Sequence, residues 1–361
     1  MATPSPTPAP VAQTCAIRTL GSLTEAQKVG QLFLIGLTGD QLSATYVDAI
    51  GAYHFGSVYF AHRTSVGVSA LRAVTDAIQA QAGAATGGVP FFIAANQEGG
   101  EVQPLTGPGF DTIPSALVQG TYAPSRLKSL ATTWGHQLAA AGVNLDLAPV
   151  AGVVPPGTGA TNAPIGAFDR EYGHDLQTVV AHVVAFVQGM QAAGVSATLK
   201  HYPGLGRVTA NTDSTAGVVD PITTRHDPYL LPFARGVAAG ARVTMISLAT
   251  YPQIDPNHIA AFSNTVINGM LRGDMGFRGI VMSDSLSATA VASLTPTERA
   301  LDFLDAGGDM IVTNDLAGAE QMAASIVAFA GQHAWFAARV DNAAWHVLRG
   351  KEEAGLLTCG S

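Results

Sequence analysis

The stretch Lys200-His201-Tyr202-Pro203-Gly204-Leu205-Gly206 sets two bases beside a glycine-rich turn, and the turn leads to a lone carboxylate at Asp213. Other polar groups stand where apolar runs stop. They are Asn96, Gln97, Glu98 and Glu101; Asp146, with Asp169, Arg170, Glu171, Tyr172, His174 and Asp175 after it; Ser283, Asp284 and Ser285; and Asn314 with Asp315. Singly, such residues cap helices or pair with a counter-charge. Together they gather carboxylates, an amide, an arginine, a lysine and a histidine at the ends of five apolar runs, which suits a polar small-molecule site. His54, His136, His182, His333 and His346 fall in helical or loop patterns and read as structural or exposed.

These residue types narrow the chemistry. His-x-His, a cysteine cluster and HExxH are all absent, so no metal site is expected. G-x-S-x-G is absent too, which removes the usual serine nucleophile. Lys200 could form a Schiff base, but His201 and the nearby acids favour a protonated, hydrogen-bonding lysine. Two carboxylates acting on a glycosidic bond fit best. One, ionised, attacks the anomeric carbon; the other, protonated, delivers a proton to the leaving oxygen. Asp284, fixed at the end of an apolar run, suits the nucleophile. Asp213, on its glycine-rich loop, suits the acid, with Glu98, Glu101 and His226 as alternatives. Such a mechanism needs acids and water, so no cofactor is expected.

Eight short apolar or β-branched runs position these groups, beginning at Val29, Gly56, Pro90, Asn144, Ser196, Val243, Gly279 and Asp309. They read as parallel strands buried on both faces. Helical patterns alternate with them, over 42–52 and 66–82 and from Ser125, Leu176, Pro228, Asn264 and Pro296, and several end in glycine before the next strand. One or two further helices follow Asn314. The alternation predicts a single α/β domain, a (β/α)₈ TIM-type barrel with C-terminal helices over residues 21–361. The competing open, doubly wound sheet would want G-x-G-x-x-G after the first strand, where the chain has Thr-Gly-Asp-Gln-Leu-Ser.

Composition agrees with this reading. The chain has 361 residues, ordinary for one barrel, and 47% hydrophobic content supplies a large core. A net charge of −8 and the lack of a basic run argue against a nucleic-acid partner. No apolar stretch reaches the ~20 residues of a membrane span. Residues 1–20, rich in Pro, Thr, Ser and Ala, are expected to be flexible: a disordered tail, or a surface tether left after an export or lipid-anchor segment was removed. No signal peptide is visible, so export is an inference. The two cysteines, Cys15 and Cys359, lie near the chain ends. They are either unrelated thiols or a disulfide. The disulfide is favoured, because a closed barrel brings its first and last elements together and an oxidising compartment would suit the pair.

KHYPGLGRV, NQEGGEVQPL, GVNLDLAPV, DREYG and GFRGIVMSDSL, in that order, resemble the motifs of family 3 glycoside hydrolases, in particular the bacterial β-N-acetylglucosaminidases that act on cell-wall fragments. The resemblance extends from about Leu23 to Asn314. It implies a single-domain barrel, a retaining mechanism through a covalent glycosyl-aspartate and a carbohydrate substrate containing N-acetylglucosamine; a monomer exported to or anchored at the cell envelope is expected. Asp284 matches the family's nucleophile. Lys200 and His201 match a pair that holds sugar hydroxyls, Arg170 matches a sugar-contacting arginine, and Asn96 falls where an aspartate usually grips distal hydroxyls. Three departures stand out. Asp213 replaces the family's acid/base histidine, Asn96 replaces Asp, and Glu101 replaces a common Arg. They motivate two alternatives: a different sugar preference within the family, and a catalytically weak sugar-binding protein. A loop-borne acid is also expected to close only over bound sugar.

Overall fold

In the computed structural model, which describes residues 14–359, the eight runs form one closed parallel barrel. Its strands are β1 (Phe33–Leu37), β2 (Ser57–Phe60), β3 (Phe92–Ala95), β4 (Leu145–Asp146), β5 (Ser196–Tyr202), β6 (Val243–Ile246), β9 (Ile280–Ser285) and β10 (Met310–Thr313). A two-stranded antiparallel hairpin, β7 (Thr250–Tyr251) and β8 (Asp255–Ile259), is inserted between β6 and β9. β10 pairs with β1 through Phe33↔Ile311 and closes the ring.

Strand alternation sorts the side chains. Leu34, Phe92, Leu145, Met245, Met282 and Val312 fill the barrel, while Ile35, Ile93, Leu199, Ile246 and Val281 face the surrounding helices. Both faces are therefore dry, which is why the strands read as unbroken apolar runs. The predicted helices are found at Ala44–Tyr53, Gly67–Gln79, Pro124–Ala140, Leu176–Ala192, Leu231–Ala238 and Pro296–Asp305, and the tail supplies two, Leu316–Ala330 and Ala334–Glu353. Pro296 occupies the first turn of its helix, behind a Thr295–Glu298 capping box. The stretch after Asn264 is helical with a wider, π-type turn over Thr265–Asp274.

The last helix shuts the end of the barrel where strands begin. A Cβ on Gly350 would lie 2.6 Å from Ile280, and Lys351 is fully buried, donating to Gln31 Oε1 (2.7 Å) and the Gly56 carbonyl (2.9 Å). Nearby, Asp309 is buried among Arg272, Arg339 and His346 and accepts the Val281 amide.

The N-terminal expectation needs correction. Cys15–Ser22 is an α-helix, so residues 15–20 do not belong to a flexible segment; residues 1–13 lie outside the described residues. Thr14 caps this helix. The Glu352 carboxylate accepts from the amides of Cys15 (2.9 Å) and Ala16 (3.2 Å), an anion at a helix N-terminus. Cys15 is disulfide-bonded to Cys359, with the two Cα atoms 5.5 Å apart. The Glu352 contact comes from the far end of the chain and is invisible to local composition.

Candidate active site

The strand ends opposite that closed face surround a cavity of about 520 Å³, whose lining includes Tyr59, Asn96, Arg170, Asp213, Ser285 and Asn314. Ligand sites of parallel barrels form at this rim because every βα loop opens there.

Strand β5 carries the first cluster. Leu199 points outward against the helix of Gly236, so the pleat turns Thr198 and Lys200 inward. Lys200 Nζ donates to Glu98 Oε1 (2.6 Å) and Asn96 Oδ1 (2.8 Å). Arg170 meets the same carboxylate with two hydrogen bonds, Nε to Oε2 (2.9 Å) and Nη2 to Oε1 (2.8 Å), and its third nitrogen donates to the Pro164 carbonyl. Burial opposes ionisation of Glu98, but the Arg170 and Lys200 charges hold its carboxyl down to about 2. Glu98 is thus a fixed anion that aims two cations, and it is unsuited to act as the acid. Burial lowers the pKa of Lys200, and Glu98 opposes that shift.

His201, also buried, follows Lys200 through a cis peptide. Burial, reinforced by the Lys200 and Arg170 charges, pushes its imidazole well below the usual range, so it is neutral. Its Nε2 stands 4.0 Å from Asp284 Oδ2, and its Nδ1 has no protein partner. Lys200, His201 and Asp284 all lie just behind the cavity lining, which their neighbours Asn96 and Ser285 supply.

Asp284 is the penultimate residue of β9, and its Oδ1 accepts the Ser285 amide (2.8 Å). Burial, and next the charge of Asp213, raise its carboxyl to about 6. Asp213 reaches the cavity on the loop after β5. Gly204, at φ +134°, turns that loop, and Gly206 lets it pass where a Cβ would lie 1.9 Å from the Val153 carbonyl. The loop is tied to the segment beyond β9: the Thr289 amide donates to Asp213 O (3.2 Å) and the Ala290 amide to Thr212 O (3.1 Å). The loop acid therefore already lines the cavity, contrary to the expectation that it stands away until sugar binds.

Among the alternative acids, Glu101 lines the same cavity. His226 does not; it lines a separate cavity of about 410 Å³ with Tyr202, Arg225 and Asp274. Sequence reasoning missed Tyr59, His62 and Arg63. Tyr59 faces inward from β2, and burial, then the charges of Asp284 and Asp213, raise its phenol, leaving it a proton donor. The alternation Ser57-x-Tyr59 was the available signal. Asp146, buried at the end of β4, accepts the Gln97 amide (2.9 Å) and is raised to about 7 by burial.

Glycoside hydrolases commonly work through a pair of carboxylates, and this rim carries one partly buried near a strand end and one on a loop. Comparison with known proteins supplies the family: residues 24–349 match the glycosyl hydrolase family 3 N terminal domain, and the chain belongs to that family. It is similar to a β-N-acetylhexosaminidase structure from Beutenbergia cavernae DSM 12333, with 48% identity and a TM-score of 0.90, covering 92% of this chain and 99% of that one. A family 3 β-N-acetylglucosaminidase structure from Paenibacillus sp. str. FPU-7 is 26% identical with a TM-score of 0.84, covering 94% of this chain and 64% of that one. A β-hexosaminidase of Xylella fastidiosa (strain 9a5c) is 35% identical over 295 residues, which is 78% of this chain and 82% of the relative.

Proposed function

We propose that the protein is a retaining, exo-acting β-N-acetylhexosaminidase that removes terminal N-acetylglucosamine from cell-wall fragments. The observation that carries this reading is the convergence of two carboxylates on one rim: Asp284 near the end of β9, and Asp213 on the loop tied to the segment just beyond that strand. Asp284, ionised, attacks the anomeric carbon and forms a glycosyl-aspartate. Asp213, protonated, gives its proton to the departing oxygen and then takes one from the water that releases the sugar. Neutral His201 leaves the nucleophile without a competing positive partner, so its charge stays available for attack. Arg170 and Asn96, which line the cavity, hold the sugar hydroxyls, and Lys200 behind them fixes both, bonded to Asn96 and to the Glu98 carboxylate that Arg170 shares. The 48% identical β-N-acetylhexosaminidase supports the sugar assignment.

The disulfide joining the chain ends supports export to an oxidising compartment at the cell envelope. One chain supplies every group named, which supports a monomer as the working unit.

The test is hydrolysis of p-nitrophenyl N-acetyl-β-glucosaminide by wild type, Asp284→Ala and Asp213→Ala, with the first-formed anomer read by NMR. The reading expects a dead Asp284→Ala, and an Asp213→Ala that keeps activity on this activated aryl group but fails on a disaccharide. An inactive wild type, or an inverted product, would overturn it.

A further inference from the structure

A second cavity of about 220 Å³ adjoins the first, and Arg63, Glu101, Arg170 and Asp213 line both. Phe168 and Asn211 line only the smaller one. Phe168 is 46% exposed. A lone exposed aromatic on a surface needs no explanation, but this one stands at the mouth of a polar cleft, in the cavity that shares the proposed proton donor.

Its loop is braced from below. Phe168 ends a single 3₁₀ turn, Gly166–Phe168, and Asp169 reverses the chain at φ +52°. The buried Asn162 side chain accepts the Gly166 amide (2.8 Å) and donates to the carbonyls of Leu205 (2.8 Å) and Val208 (2.7 Å). The Leu117 amide donates to the Asp169 carbonyl (3.1 Å). One amide side chain thus fixes the Phe168 turn to the loop that carries Asp213, so ring and acid hold a set relation.

A proton donor to a glycosidic oxygen must sit between the two sugar rings that the oxygen joins. Two cavities that share Asp213 therefore correspond to the two sides of the bond. The larger one, beside Ser285 and Asn96, takes the ring that is attacked. Resting on the proposed hydrolase reading, we propose that the smaller cavity receives the leaving-group sugar, and that Phe168 is the platform on which its apolar C–H face stacks. Arg63 and Glu101 contribute opposite charges there, and Glu98 neutralises Arg170. The cavity offers no surplus cation for an acidic group, so the ring it fits is an uncharged pyranose.

The experiment compares N,N′-diacetylchitobiose, whose leaving group is a sugar, with N-acetyl-β-glucosaminyl fluoride, which leaves nothing in the second cavity. Phe168→Ala is expected to lower kcat/KM on the disaccharide roughly tenfold and to leave the fluoride within about twofold, with Phe168→Trp restoring the disaccharide. Equal loss on both substrates would make Phe168 a structural residue, and no loss on either would remove it from substrate contact; each overturns the proposal. If wild type turns over neither substrate, the N-acetyl assignment fails separately, and cellobiose against β-glucosyl fluoride decides Phe168 by the same comparison. A wild type inactive on both pairs overturns the platform together with the enzyme reading.

Discussion

Replacing Asp213 by Asn removes a charge from the cleft while keeping the side chain's shape, so it reads the coupling between the two carboxylates directly. Asp284 is raised from 3.8 to about 6, a perturbation of about 3 kcal/mol. Burial is its first cause and Asp213 its second. Carboxylates of a retaining pair stand about 5 Å apart, where a full charge at an effective dielectric of ~20 is worth about 3 kcal/mol. Asp213 is exposed, and solvent screens it, so about half of that remains, or roughly one pH unit. The assay is kcat/KM against pH on p-nitrophenyl N-acetyl-β-glucosaminide, whose leaving group needs little protonation. Wild type is expected to gain activity as pH rises through about 6, where Asp284 ionises. In Asp213→Asn that limb moves to lower pH by about one unit. An acid limb that stays in place or moves upward would refute the coupling, and with it the assignment of Asp213 as the facing acid.

Three further outcomes follow from the buried charges and the cross-link. Glu98→Gln leaves Arg170 and Lys200 without their shared anion, which is expected to destabilise the fold by about 3–5 kcal/mol and, by calorimetry, to lower Tm by roughly 5 °C; an unchanged Tm would contradict the geometry. Burial alone lowers the amine of Lys351 to about 7 from 10.5. Between those values the unfolded chain binds the proton and the folded chain does not, so this group makes stability rise with pH up to 10.5 and lowers it toward 7, by at most about 5 kcal/mol. The stability of Lys351→Met relative to wild type, from urea midpoints, is expected to be highest at neutral pH and to fall as pH rises; a constant difference would refute the depressed amine. Finally, Cys359→Ser opens a link across 344 residues. It is expected to lose roughly 3–5 kcal/mol of stability by denaturant melts while keeping activity at room temperature, and an unchanged midpoint would argue against the bond.

The eight strands were legible because a doubly covered parallel strand has one unambiguous signature, a short run of β-branched and apolar residues such as Ile280–Met282. The rim was legible from the polar groups that interrupt those runs at one end, and Asp284 and Lys200 both stand at strand ends. What stayed hidden depends on contacts distant in sequence. Glu98 binds partners 72 and 102 positions away, at Arg170 and Lys200, so its role as an anchor, and not an acid, could not be read from NQEGG. The helix at Cys15 is held by Glu352, 337 positions on. The β7–β8 hairpin carries two prolines in Tyr-Pro-Gln-Ile-Asp-Pro and reads as loop. His226 and Asp213 both follow β5, and only the path of the loop decides which of them reaches the cavity.

The seam formed by the final helix, Glu352 and the Cys15–Cys359 bond places both ends of the described chain beneath the barrel, on the face opposite the cavity. Fixed to a surface by either end, the enzyme would stand with its open mouth turned away from the point of attachment. Glycan strands could then approach from the free side without threading past the support, and a fusion or immobilisation at either end should leave turnover intact.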